Sequence, residues 1–153
     1  MKNKVKKLLE NKGKTVPILS FPVCSLLDIS VRELTASADM QVTGMKKMAE
    51  KCSIGASLNM MDLSVEAEAF GARIRFYEDD VPAVEKGIID DISDAYKIAV
   101  PEIGSGRTEV FIEGIKKAKE CIRDIPVFCG VIGPYSLAGR LFDMTELMMA
   151  CFD

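Results

Sequence analysis

One run constrains the fold more than any other: residues 126–142, Pro-Val-Phe-Cys-Gly-Val-Ile-Gly-Pro-Tyr-Ser-Leu-Ala-Gly-Arg-Leu-Phe. Its first part, residues 127–132, is short, apolar and rich in β-branched side chains, the pattern of a strand buried on both faces. Gly133-Pro134 ends that strand sharply. From Ser136 a helical period takes over, with Leu137, Leu141 and Phe142 apolar and the Ser136 hydroxyl placed to cap the new helix. In parallel α/β proteins such a junction lies at the carboxyl end of a strand, where ligands bind. The turn marks the expected functional face.

The rest of the chain repeats this alternation. Residues 2–11 suit a basic amphipathic helix with Val5, Leu8 and Leu9 on one side and Gly13 as its stop. Residues 16–21 form the first buried-strand candidate, and Phe21-Pro22-Val23-Cys24-Ser25 a turn over its carboxyl end. Ser30-Val31-Arg32-Glu33 matches a capping box, in which each side chain satisfies the other residue's free amide. A second start at Ser37 leads into a helix whose inner face carries Val42, Met45, Met48, Ala49 and Cys52. Gly44 weakens that helix by about 1 kcal/mol relative to alanine.

Residues 56–61 are a second buried strand ending on Asp62, and residues 64–70 a short helix that Gly71 stops in the left-handed region. Residues 73–77 alternate as a half-exposed strand, and residues 84–101 form a loop-rich excursion with one short helix near 92–98. Gly104-Ser105-Gly106-Arg107 follows no buried strand and lacks the Lys-Ser/Thr of a phosphate loop, so it reads as a turn. The next helix, residues 108–122, turns Val110, Phe111, Ile115, Ala118 and Ile122 inward. Beyond residue 142 the chain reads as still helical at its end.

Strands buried on both faces and alternating with helices imply an α/β fold, with a parallel sheet and right-handed crossovers. No repeat or low-complexity linker divides residues 1–153, which read as a single domain. At 48% hydrophobic, the chain has apolar material enough for one core. A net charge of -3 gives no reason to expect nucleic acid. No apolar run nears the ~20 residues of a membrane span, and no apolar leader opens the chain, so a cytoplasmic location is expected. The five cysteines, Cys24, Cys52, Cys121, Cys129 and Cys151, form no Cys-x-x-Cys pair and read mostly as small buried hydrophobes. With no histidine, the chain by itself lacks the usual neutral-pH base and the commonest metal ligand.

Four stretches in order carry a resemblance: Met61-Asp62-Leu63-Ser64-Val65-Glu66-Ala67-Glu68-Ala69-Phe70-Gly71, then Ile74-Arg75-Phe76, Val100-Pro101-Glu102, and Gly130-Val131-Ile132-Gly133-Pro134-Tyr135-Ser136-Leu137-Ala138-Gly139. The chain resembles the uroporphyrinogen decarboxylase superfamily over residues 15–149, most of all its corrinoid-dependent methyltransferase branch. The resemblance implies a (β/α)8 TIM barrel, which needs about 250 residues. This chain would then supply about the first three βα units with an inserted hairpin-like excursion. It would be the amino-terminal portion of such a barrel, a fragment inactive alone, moving a methyl group from a methyl-corrinoid (a cobalamin-type carrier) to a thiol. A corrinoid protein and a small thiol are the implied partners.

Zinc, which in that branch activates the thiol, is implied only for the full-length barrel. No metal residue of this chain matches its ligand motif. The resemblance places Asp62 at the decarboxylases' catalytic aspartate, although an aspartate before a helix is also a common N-cap. It places Arg140 near their active-site tyrosine, one turn beyond Ser136. There Arg140, with Tyr135 and Ser136, would meet an anionic thiol or a corrinoid side chain; a surface salt bridge and a capping role are the plainer readings. The decarboxylases bind substrate carboxylates through arginines after strand one. Residues 21–25 have none, which argues against porphyrinogen decarboxylation. A third reading is a non-catalytic half-barrel whose two open sheet edges are closed by a homo-oligomer or a second half-barrel.

Overall fold

The computed structural model describes Lys6, Glu10, residues 13–19 and residues 21–152. Of the basic helix expected at residues 2–11, only Lys6 and Glu10 are described, both helical; Val5, Leu8 and Leu9 lie outside the described residues. The chain divides into two compact units, residues 1–61 with 110–130 and residues 62–109 with 131–153.

The first unit holds a parallel three-stranded sheet in the order β1 (Ile18–Leu19), β2 (Ser57–Met60), β5 (Val127–Phe128). Ile18 pairs with Leu58, and Leu58 in turn with Phe128. Parallel neighbours joined by helical crossovers are what the alternating pattern requires. Between β1 and β2 come α1 (Pro22–Leu27), α2 (Val31–Ala36) and α3 (Ala38–Lys51). The capping box at Ser30 forms in full: Ser30 Oγ accepts from Glu33 N, and the Glu33 carboxylate accepts from Ser30 N at 2.8 Å. Ser37 caps α3 by accepting from Met40 N. With α5 (Thr108–Cys121), these helices build a core of Leu19, Val23, Val31, Leu34, Val42, Met45, Met60, Ala118 and Ile122. Burial of each larger side chain stabilises by roughly 1.5–3 kcal/mol. Gly44 has a structural reason: a Cβ there would stand 2.9 Å from Val23 Cγ2, so its absence lets α3 close on α1.

The structure corrects several expectations in this unit. The strand expected over residues 16–21 shrinks to two residues with only Leu19 buried, because β1 is an edge with one partner. Phe21–Ser25 is not a plain turn. Pro22, with its fixed φ and no N–H to waste, starts α1 instead. The strand over residues 127–132 is likewise two residues long and half-buried, since β5 has β2 on one side only. Among the cysteines Cys24 alone is buried. Cys52, Cys121, Cys129 and Cys151 fall at or just past element ends and are exposed, so Cys52 leaves the inner face expected of it.

The second unit is built of shorter pieces. They are α4 (Val65–Ala69), an antiparallel hairpin of β3 (Arg73–Arg75) and β4 (Ala83–Lys86), a 3-10 helix (Ile92–Lys97), α6 (Pro134–Leu141) and α7 (Met144–Ala150). Gly71, at φ 99°, stops the α4 segment as expected. Its apolar centre is small: Ala67, Ala72 and Leu141, flanked by Phe70, Ile74, Val84 and Leu137. The excursion read as loop contains β4, whose pairing with β3 does not show in local periodicity. Residues 150–152 also differ from the reading: α7 ends at Ala150 and Cys151 is its C-cap. The fold is α/β with a parallel sheet, and no barrel closes within the described residues.

Candidate functional site

Asp62 stands two residues past β2, at the carboxyl end of that strand. Its side chain is 0% exposed. Oδ1 accepts from Ser64 N at 2.9 Å and from Ser64 Oγ at 2.6 Å, an Asx-type turn that leads the chain into α4. The N-cap of α4 is Ser64, so Asp62 is not the helix cap that its position suggested.

The other carboxylate oxygen, Oδ2, takes a charge-assisted bond from Arg107 Nη1 at 2.5 Å. Arg107 Nε donates to Glu68 Oε2 at 2.5 Å, and Nη2 to Ser64 Oγ at 2.8 Å. The guanidinium also lies 4.8 Å from the centroid of the Phe76 ring, within cation–π range. Every nitrogen of Arg107 is engaged, and its side chain is 11% exposed.

Glycine makes this approach possible. Gly104 (φ 93°) and Gly106 (φ 57°) both take left-handed backbone just before Arg107, and Thr108 Oγ1 fastens the turn by donating to Ser105 O at 2.6 Å. Sequence reasoning treated this loop as a plain turn and missed Arg107. Its partners lie 39 to 45 residues away, and only the paired glycines hinted at a demanding backbone.

Tyr135, Ser136 and Arg140 all lie on α6. That helix starts at Pro134 with Gly133 as its N-cap, so Ser136 is already inside the first turn and caps nothing. The missing N–H of Pro134 suits the first helical position better than a hydroxyl two residues later. Tyr135 and Ser136 are exposed. None of the three hydrogen-bonds or ion-pairs to Asp62, so the structure joins Asp62 to Arg107 and Glu68 and not to the α6 residues.

Arg140 is half-buried on the wall of an open cleft of about 400 Å³ between β4 and the α6–α7 corner. Among the described residues it makes no ion pair, and its buried Nε has no hydrogen-bond partner. The acidic groups on the cleft are otherwise occupied. Glu85 pairs with Arg75, which holds its carboxyl below the usual range. Asp143 caps α7, and the Glu146 and Thr145 amides lower its carboxyl likewise. Asp90 faces Lys86 at 3.6 Å.

Among the described residues no three His, Cys, Asp or Glu side chains gather as a metal site, and the sequence has no histidine. The described residues do not offer a zinc ion a set of ligands. No described helix is long and apolar enough to cross a membrane.

No curated protein matches the chain. Among solved structures, a methyltransferase from Methanosarcina mazei superposes with a TM-score of 0.78 at 22% sequence identity. The match covers 96% of this chain and 47% of that one, so the chain spans about half the length of its structural neighbour. At that identity the likeness speaks for the fold, an open part of the same barrel. Family matching is more direct: residues 12–153 fit the family described as Uroporphyrinogen decarboxylase (URO-D), nearly the whole sequence. The chain belongs to the uroporphyrinogen decarboxylase family.

Proposed function

We propose that residues 1–153 are the amino-terminal part of one barrel domain whose complete form transfers a methyl group from a methyl-corrinoid to a thiol or similar acceptor. The observation that carries this reading over decarboxylation is the segment after β1. It holds no arginine and folds as α1, with Val23 and Cys24 buried. A tetrapyrrole bearing many carboxylates needs guanidinium forks, and this segment offers none. The fold likeness to a methyltransferase points the same way.

In this reading the chain contributes surface and positioning, and the corrinoid is the substrate carrier. Asp62, expected as the catalytic aspartate, acts here through Arg107: its buried carboxylate holds the guanidinium, and with it the Gly104–Gly106 loop. Tyr135 and Ser136 offer an exposed ring and hydroxyl from the first turn of α6, and Arg140 offers the positive charge for an anionic substrate group.

Equilibrium dialysis of the chain against methylcobalamin and, separately, an octacarboxylic porphyrin tests this. Retention of methylcobalamin without the porphyrin is expected. Retention of the porphyrin alone, lost on Asp62→Asn, would establish the decarboxylase reading instead.

A second reading, a half-barrel that closes its sheet by association, draws on two features. β1 and β5 are edge strands, and Met148, Met149 and Phe152 are exposed. Sedimentation of the purified chain decides it: a particle of two or more 16.8 kDa chains favours association, and a monomer removes it.

A further inference from the structure

We propose that residues 90–103 are a docking surface for the basic amino-terminal stretch, residues 2–14, of a second copy of this chain. Two copies related by a two-fold axis each give one stretch and receive one, so the contact closes as a dimer. This deepens the association reading above, on which it rests for the second copy, and moves the contact from the sheet edges to this segment. It owes nothing to the methyl-transfer reading.

Exposure marks the segment out. Ile92, Tyr96, Val100 and Ile103 are 50%, 91%, 86% and 95% exposed. Single apolar side chains on a surface are ordinary, but several large ones within so short a stretch mark an interaction surface. They recur at the period of one helix face, although the backbone is a 3-10 helix only over Ile92–Lys97. No residue of that 3-10 helix is buried.

The segment is held at both ends. Before it, Ile88 N and Ile89 N both donate to Leu141 O at 2.9 Å. After it, Arg107 is bonded to Asp62, Ser64 and Glu68. Between these anchors polar groups pair locally. Asp91 and Asp94 form a capping box, Lys97 Nζ meets Asp94 Oδ1 at 2.8 Å, and Ser105 N donates to Glu102 O at 3.1 Å. A surface presented in this way has less freedom to lose when a partner covers it.

Charge selects the occupant. Residues 90–103 carry Asp90, Asp91, Asp94 and Glu102 against Lys97 alone. Even with Lys86, 3.6 Å from Asp90, acids are in excess. Residues 2–14 carry six lysines against Glu10 alone, in a chain whose net charge is -3. That stretch also spaces Val5, Leu8 and Leu9 as one helix face, so apolar stripe and charge both match. Opposite charges around an apolar contact fix its register and speed encounter. Both halves of the contact are written in one sequence.

The test is sedimentation equilibrium of the full chain at about 0.05 M and about 0.5 M salt. Dimers of the 16.8 kDa chain are expected, at least about tenfold weaker at the higher salt. Tyr96→Lys, and separately Lys6→Glu with Lys7→Glu, are each expected to weaken the dimer at least about tenfold. Tyr96 and Lys6 are exposed, so the fold should survive both changes. An equimolar mixture of the two variants is expected to associate more tightly than either alone, because one of the two contacts is intact in it. A single-chain particle throughout would overturn the proposal together with the association reading. Dimers that neither variant weakens would overturn the proposal alone and return association to the sheet edges. A mixture no tighter than its parts would overturn it too, since the two surfaces would then not meet between copies. Methylcobalamin plays no part in this measurement, so a failed corrinoid reading and a failed contact are told apart.

Discussion

The two units solve the problem of a core in opposite ways. In the first, two 14-residue helices, α3 and α5, and a parallel sheet bury a continuous apolar cluster. Its buried polar residues, Thr35, Gln41, Ser57 and Asn59, carry no charge, and the Gln41 amide donates to Leu34 O at 3.2 Å. In the second, α4 has five residues and β3 three, the apolar centre is small, and a buried ionic cluster does the holding. Asp62, Ser64, Glu68 and Arg107 satisfy one another within that cluster. An apolar core tolerates small losses one at a time, but a buried ionic cluster fails when one partner is removed. The lesson is that the unit carrying the candidate site is organised by charge, and the scaffold unit by burial.

The contrast is sharpest under substitution of Arg107. Arg107→Met leaves the Asp62 carboxylate buried without its cation, and an expected loss of about 3–5 kcal/mol follows. Urea unfolding monitored by circular dichroism measures it. In the first unit, Leu34→Ala empties a fully buried position. Its cost is expected at about 2–5 kcal/mol, depending on how far the helices settle into the gap. If Arg107→Met cost much less than Leu34→Ala, the ionic cluster would be decoration and the comparison would break.

Ser30→Ala removes one half of the capping box and is expected to cost about 1 kcal/mol in the same assay. The smallest effect concerns Glu85 and Asp143. Both carboxyls titrate lower in the folded chain than in the unfolded one, Glu85 through Arg75 and Asp143 through the α7 amides. Their stabilisation is therefore complete above the unfolded carboxylate pKa and is lost as pH falls through the lower, folded value. Carboxyl-carbon NMR titration should place both midpoints below ordinary carboxylates. A normal midpoint for Asp143 would mean that α7 is not capped as described.

What could be read in the sequence follows the same division. The capping box at Ser30, the start at Ser37 and the inward faces of α3 and α5 were legible, because helix caps and a 3.6-residue period are local signals. The alternation of strand and helix predicted the parallel sheet. Strand lengths were not legible, since the apolar content of residues 127–132 cannot tell a central strand from an edge with a single partner. Pro22 reads as part of a turn and Pro134 as the end of a strand, yet both begin helices, and at Pro134 this displaces the cap expected at Ser136.

Asp62 was found from the resemblance and its place at a strand end. Arg107 was not, because a salt bridge spanning 45 residues leaves no local pattern. Arg140 is similar: the resemblance singles it out, but that its Nε lacks a hydrogen-bond partner among the described residues is a property of the folded unit.

A double-mutant cycle on Asp62 and Arg107 tests whether charge organises the unit carrying the site. Unfolding free energies are measured for Asp62→Asn, Arg107→Met and the pair together. The double substitution is expected to cost less than the two single costs added, by about 1 kcal/mol or more. Costs that add to within about 0.5 kcal/mol would contradict it, because the two side chains would then stabilise the fold independently.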